Sequence, residues 1–309
     1  MVSARLPEPL GTGPFSVARA RAAGLRHCDL RALGLHRPTH GVRTLTPPET
    51  LVDRARAWAQ ALPPDSAFSH VTAAVVLGLP LPASLEADSR LDVMRTSDRT
   101  PTRRAGCRGH RGLETRSVVE ASGLRVVGAA DTWCDLGEVL HRGLSVDDLV
   151  VAGDAVVGHG TGSASAAVLR STLDGRVRPR GRGQLLEAVG LVRPGVRSPR
   201  ETRARLMFVR AGFPEPEVNG VVRDAAGGWL LEGDLVWQAE RVVGEYQRAA
   251  HADRKRRSAD AHRNGLAADE GWTVLELWSE DLDQGPRRRA TLLRFARVLG
   301  LDPRHLTID

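Results

Sequence analysis

At 309 residues, with 41% apolar content and a formal charge of +7, the chain is long enough for two domains and too apolar for wholesale disorder. A pI of about 10.6 favours a polyanionic partner. Residues 1–15 lack the apolar core of a signal peptide, and the longest apolar run, 73–81, is too short for a bilayer. The expected compartment is therefore the reduced cytoplasm, with no membrane association. Cys28, Cys107 and Cys134 are odd in number and have no C-x-x-C spacing, which argues against a disulfide framework or a cysteine zinc site. Lys255 is the only lysine. Arginine forks phosphate bidentately, although a GC-rich genome produces the same bias, so the net charge carries the inference.

Residues 1–80 read as a winged-helix-like module. Helices are expected at 17–23 and 28–33, then a strand at 41–45 closed by Pro47 and Pro48. A helix at 49–61 puts Leu51, Val52, Ala55 and Trp58 on one face and breaks at Pro63-Pro64. Residues 68–79 read as a second apolar helix. Residues 81–194 form an α+β middle region and linker. Its strands fall at 91–94 and 124–127, its helices at 130–140 and 146–157. Residues 158–163 connect helices, and 175–182 are Gly/Arg/Pro-rich and exposed.

Pro194-Gly195 and Ser198-Pro199 open a C-terminal domain, 195–309. Ser198 is an N-cap, Pro199 sits at N1 and Glu201 at N3 of a helix that stops at Gly212. Strands follow at 218–223, 229–237 and 241–246, a helix at 252–270, a strand at 273–277 and a helix at 288–299. The order is αβββαβα. The fold class is α/β: a C-terminal mixed sheet flanked by helices, preceded by a mainly helical α+β region.

The chemistry lies in this last domain. Asp234 and Glu245 each sit inside an apolar strand run. Such a carboxylate is costly to bury unless it meets a cation or a donor. The two runs are joined by the short turn 238–240, a spacing that lets both carboxylates converge on one ion. Glu201 adds a third, and the following segment is basic. Hard-metal ligands beside a phosphate-attracting flank point to phosphodiester chemistry on nucleic acid, DNA or RNA. Plainer roles exist for each residue. Glu201 completes a capping box with Ser198. Asp234 is a solvated strand charge and Glu245 an arginine partner. His251 starts a helix, Arg254–Arg257 line a solvated helix face, and Asp260 pairs with Arg263.

Ser198-Pro199-Arg200-Glu201, Gly233-Asp234-Leu235-Val236-Trp237, Glu245-Tyr246-Gln247, His251, Asp260-x-x-Arg263 and Gly271-Trp272-Thr273-Val274-Leu275 occur in this order. Together they resemble the endonuclease-like domain of actinobacterial proteins related to very-short-patch repair endonucleases, within the PD-(D/E)XK superfamily. The resemblance covers about residues 195–285. Arg26-His27-Cys28-Asp29-Leu30, Gly41-Val42-Arg43 and residues 69–82 are similar to antitoxins of the abortive-infection type IV class.

The nuclease resemblance implies Asp234 as the core Mg²⁺ ligand, with Mn²⁺ able to replace it. Glu245 is the second acidic ligand, and Tyr246 offers a backbone carbonyl. Glu201 is an outer ligand or orients a metal-bound water. Gln247 stands where the superfamily usually has lysine and orients water through its amide. His251 is a general base or phosphate contact. Arg254, Arg256, Arg257 and Arg263 hold the nucleic-acid backbone. The implied activity is Mg²⁺-dependent DNA nicking or endonucleolytic cleavage, in repair or defence. The alternative is a non-catalytic, antitoxin-like DNA-binding regulator that keeps a degenerate nuclease fold, with a partner protein or a second copy as its associate.

Overall fold

The computed structural model describes residues 6–32, 34–158, 165–247 and 263–308. The chain is mixed α/β and divides into two compact units, Met1–Val156 with Ala164–Gly190, and Val157–Ser163 with Leu191–Asp309. Among the described residues no helix is long and apolar enough to cross a membrane.

The first unit begins with β1 (Phe15–Ser16), α1 (Val17–Ala22), α2 (His27–Ala32) and β2 (Val42–Arg43). β1 and β2 pair antiparallel, and Leu10, Phe15, Ala20 and Leu30 form a small core. Helix α3 (Leu51–Ala59) is nucleated by a full Thr50/Asp53 capping box and buries Leu51, Ala55 and Trp58. Then come β3 (Ala67–Phe68), α4 (His70–Val76), α5 (Ala83–Glu86), β4 (Leu91–Arg95), β5 (Cys107–Arg111), β6 (Val118–Ala121) and β7 (Leu124–Val127). Helices α6 (Ala129–Asp135), α7 (Val146–Gly158), α8 (Ala166–Asp174) and α9 (Arg182–Leu191) follow.

The five strands from β3 on form one sheet in the order β5-β4-β3-β7-β6. Two expectations change here. Residues 68–79 are not one helix, because Phe68 pairs with both Val93 and Val126 and the helix starts at His70. A boundary at residue 80 would cut this sheet, since β3 lies before it and its two neighbours after it. Strands β5 and β6 are additional to the expected elements. The former helix 130–140 is α6 followed by a 3-10 segment, Leu136–Arg142.

This unit buries an unusual amount of polar material. His70, Thr72, Asp92, Asp131 and Asp135 are all buried. Burial first, then the positive field of His110 and nearby arginines, pushes the His70 pKa well below its ordinary value. Asp88 accepts hydrogen bonds from Arg108 at 2.6 Å and Arg142 at 3.1 Å. Burial raises its pKa, but the Arg90 N–H, Arg108 and Arg142 outweigh it and hold the carboxyl below the usual range. A depressed carboxyl pKa adds stability that is present above its unfolded value, about 3.9, and is lost as pH falls through the folded value. Asp88→Asn should therefore destabilise the unit by about 1–2 kcal/mol at pH 7 and by less at an acid pH below the depressed pKa of the folded carboxyl. Urea melts at the two pH values check this.

The second unit contains α10 (Pro199–Arg210), β8 (Glu217–Arg223), β9 (Trp229–Trp237), β10 (Val242–Tyr246), β11 (Thr273–Leu277) and α11 (Pro286–Val298), with residues 263–269 helical between β10 and β11. The expected element order holds among the described residues; residues 252–262 of the helix expected at 252–270 lie outside them. The sheet runs β11-β10-β9-β8; β10 is antiparallel to β9 and parallel to β11. Both faces are covered, which is why β9 and β10 read as near-continuous apolar runs. One core is aromatic: Phe208 from α10, Trp237 from β9 and Phe295 from α11 pack with ring centroids 4.7–5.7 Å apart. The other gathers Val222, Leu231, Val236, Val243, Ala267 and Trp272.

Strand β9 changes face in its middle. A Cβ on Gly233 would stand 2.4 Å from Val243 Cγ1 and 3.0 Å from Val236 Cγ2, so Gly233 shares the side of Val236. Leu235 and Trp237 enter the opposite core. Asp234 sits at this slip. Gly233→Ala should cost about 1–3 kcal/mol, because the branched Val243 cannot swing aside within the strand. A urea melt of the variant measures it.

Candidate active site

The site is built at the face change in β9. The β9–β10 ladder ends at the pair Gly244–Leu235. Where the next backbone bond would form, the Tyr246 N–H instead donates to Asp234 Oδ2 at 2.7 Å. The aspartate side chain thus closes the ladder and holds the two strands where they part. Irregular strand positions of this kind re-aim a side chain. Glu245 follows the last paired residue of β10 and pairs on its other side with Glu276 on β11. Glu245 and Glu276 are thus cross-strand neighbours, and with Asp234 they place one carboxylate on each of three successive strands, an acidic row by strand order rather than a set of converging side chains.

Glu201 reaches the same place from the first turn of α10. Ser198 caps the helix, accepting from the Glu201 N–H at 3.3 Å. The reciprocal half of the expected capping box is shifted by one residue. Glu201 Oε2 accepts from the Arg197 N–H at 2.9 Å, while Oε1 accepts from the Ser198 hydroxyl at 2.8 Å. Asn219 Nδ2 donates to Oε2 as well, at 2.9 Å. Asn219 occupies the left-handed region, φ +51, in the strand next to β9. Asparagine tolerates that conformation, and it turns the amide toward α10. Three donors therefore fix a carboxylate that is only 8% exposed.

Ser198, Pro199, Arg200, Glu201, Asp234 and Tyr246 line one cleft of about 430 Å³. Arg200 lies over the Tyr246 ring, 5.7 Å from its centroid. Arg197 pairs with Glu232 at 2.6 Å. Its pKa is raised, chiefly by that bond and charge, with further contributions from Glu201 and Asp234. A fixed cation thus borders the carboxylates.

Glu201, Asp234 and Tyr246 are brought together, with Glu245 adjacent along β10. Tyr246 contributes its N–H to Asp234. Gln247 is half-buried and continues the ladder, its N–H donating to the Leu277 carbonyl at 2.7 Å. Arg263 opens the helical stretch 263–269 and is exposed. His251, Arg254, Arg256 and Arg257, and Asp260 beside them, lie outside the described residues. Asn219, Arg197 and Glu276 were not anticipated. Asn219 sits in the polar dipeptide Asn219-Gly220 inside a strand, a local anomaly that marks it in hindsight.

Glu201, Asp234 and Glu245 do not form a preassembled three-ligand cluster. Among the described residues, the group of three potential metal ligands at coordinating spacing is His70, His110 and Glu138, in the first unit.

No family model matches the chain, and no curated protein matches it. Among solved structures it is similar to the Rv2827c protein from Mycobacterium tuberculosis, with 18% identity over 62% of this chain and 75% of that one and a TM-score of 0.40.

Proposed function

We propose that the second unit is a Mg²⁺-dependent nuclease that nicks or cleaves DNA. The observation that carries this reading is the cleft where β9 and β10 part, in which Asp234 accepts from the Tyr246 N–H beside Glu201, with Glu245 next to Tyr246 on β10. An all-oxygen carboxylate pair suits Mg²⁺, which favours hard oxygen ligands and keeps several waters. Asp234 and Glu245 would hold the ion directly, and Glu201 would act from outside. When bound, Mg²⁺ lowers the pKa of a coordinated water and offsets charge on the phosphate.

The chain's own groups do the rest. The Tyr246 N–H orients the Asp234 carboxylate. The Arg197 backbone N–H, Ser198 and Asn219 keep Glu201 fixed, so that it can orient a nucleophilic water without reorganising. Arg197 and Arg200 border the cleft and suit phosphate oxygens. Gln247 replaces the usual lysine and orients water through its amide oxygen.

The engaged oxygens of Glu201 and the uncharged Gln247 favour one other reading: the same fold used as a DNA-binding module without turnover. Supercoiled plasmid incubated with the full chain and Mg²⁺ or Mn²⁺ separates the two. Metal-dependent nicking supports the nuclease. Salt-sensitive duplex binding with no nicking supports the module.

A further inference from the structure

We propose that His70, His110 and Glu138, in the first unit, hold a borderline divalent metal ion of the Zn²⁺ class, independently of the acidic site.

One ligand atom from each of the three residues lies within 4.8 Å of the other two. They come from separate elements: His70 opens α4, His110 lies on β5, and Glu138 lies in the 3-10 segment after α6. His70 is 2% exposed, and among the described residues its Nε2 has no hydrogen-bond partner. A buried polar nitrogen without a partner needs an explanation, and an ion is a standard one. The Nε2 faces Glu138 Oε2 at 3.9 Å, too long for a hydrogen bond. A cation bound to both at about 2.1 Å spans up to about 4.2 Å, so the gap has the size of an ion.

The surroundings support the ligands. Ser69 Oγ lies 2.9 Å from His70 Nδ1, which leaves Nε2 as the ligating nitrogen. Asp92, itself fully buried, lies 3.0 Å from His110 Nε2 and orients that ring. A carboxylate behind an imidazole is the usual outer support of a metal-bound histidine. The two imidazoles stack with centroids 3.8 Å apart and planes 23° apart, so one ring has to turn for both in-plane nitrogens to reach one ion, and His110 is the less buried of the two. Glu138 also lines an open cleft with Arg116, Arg176 and Arg180, and its Oε2 lies 3.7 Å from the exposed Arg180 Nη1, a contact that ion binding would displace. Two imidazoles and one carboxylate suit Zn²⁺ better than Mg²⁺.

The test uses the full chain carrying Asp234→Asn and Glu245→Gln, so that the acidic row does not bind. After chelator treatment, Zn²⁺ is titrated by calorimetry. One equivalent should bind, with affinity reduced at least ~10-fold by His110→Gln and by Glu138→Gln. Glu138→Gln leaves His70 packed, whereas His110→Gln also removes the ring stacked on it, so a melt of each variant accompanies the titration. Co²⁺ should give visible d–d bands without a thiolate charge-transfer band. In the wild-type chain, histidine side-chain ¹⁵N shifts on adding Zn²⁺ should move for two rings, the buried His70 and the half-buried His110, a readout that needs no variant. Absent Zn²⁺ binding, equal binding by both variants, unmoved shifts of these rings or a thiolate band would each overturn the proposal.

Discussion

Asp234→Asn should lower metal-dependent plasmid nicking by at least about 10²–10³-fold while leaving the melting temperature almost unchanged. The substitution is isosteric. The amide oxygen still accepts from the Tyr246 N–H, the 2.7 Å bond that closes the β9–β10 ladder. Only the charge and one acceptor are removed, and Asp234 is half-buried rather than enclosed. The expected stability change is therefore smaller than that of a fully buried carboxylate, about 1 kcal/mol or less. Glu201→Gln should behave differently. An amide presents one acceptor oxygen to three donors, so it should lose about 1–3 kcal/mol of stability along with activity. Comparing kcat and melting temperature for the two variants separates the ligand from the positioning group.

Arg205→Met should destabilise the second unit by about 2–4 kcal/mol, a large share of a domain's total. Arg205 is fully buried in the middle of α10. It donates to Glu215 Oε1 and to the Leu191 carbonyl, both at 2.8 Å. Removing it leaves an anion and a carbonyl facing an apolar side chain. Glu215 is one-third exposed and keeps a bond from Arg193 at 2.8 Å, so the loss falls short of that for a fully enclosed pair. Arg205→Met with Glu215→Leu should recover part of the loss, since replacing both partners of a buried pair costs less than breaking it. The effect reaches the site, because Arg205 anchors the helix whose first turn carries Glu201. Urea denaturation of the single and double variants measures both terms.

The second unit was legible because its signals are local. The Ser198 cap, the Gly212 stop and the apolar runs of β9 and β10 each sit within a few residues. Asp234 and Glu245 could be singled out because carboxylates inside apolar runs are anomalies. What stayed hidden was register. Nothing local says that β10 lies between β9 and β11, so Glu276 was not expected to join the row. Nor does the chain announce that Asn219 takes the left-handed conformation and turns toward Glu201.

The first unit was harder for related reasons. Strand β3 is two residues long and merges into the apolar helix that follows it. Strand β5, Cys-Arg-Gly-His-Arg, carries no apolar alternation, and its pairing with β4 comes from neighbours far along the chain. His70, His110 and Glu138 meet only through that sheet and the packing of the 3-10 segment, so no spacing motif marks them.

The central claim, that Asp234 and Glu245 share a divalent cation, is tested most directly by calorimetric titration of Mg²⁺ into the wild-type chain, Asp234→Asn and Glu245→Gln. Mg²⁺ seeks oxygen ligands and so reports the acidic row rather than the histidines. The expected result is saturable binding by the wild type that both variants abolish. Binding that persists unchanged in both variants, or absent in the wild type even with DNA present, would contradict it.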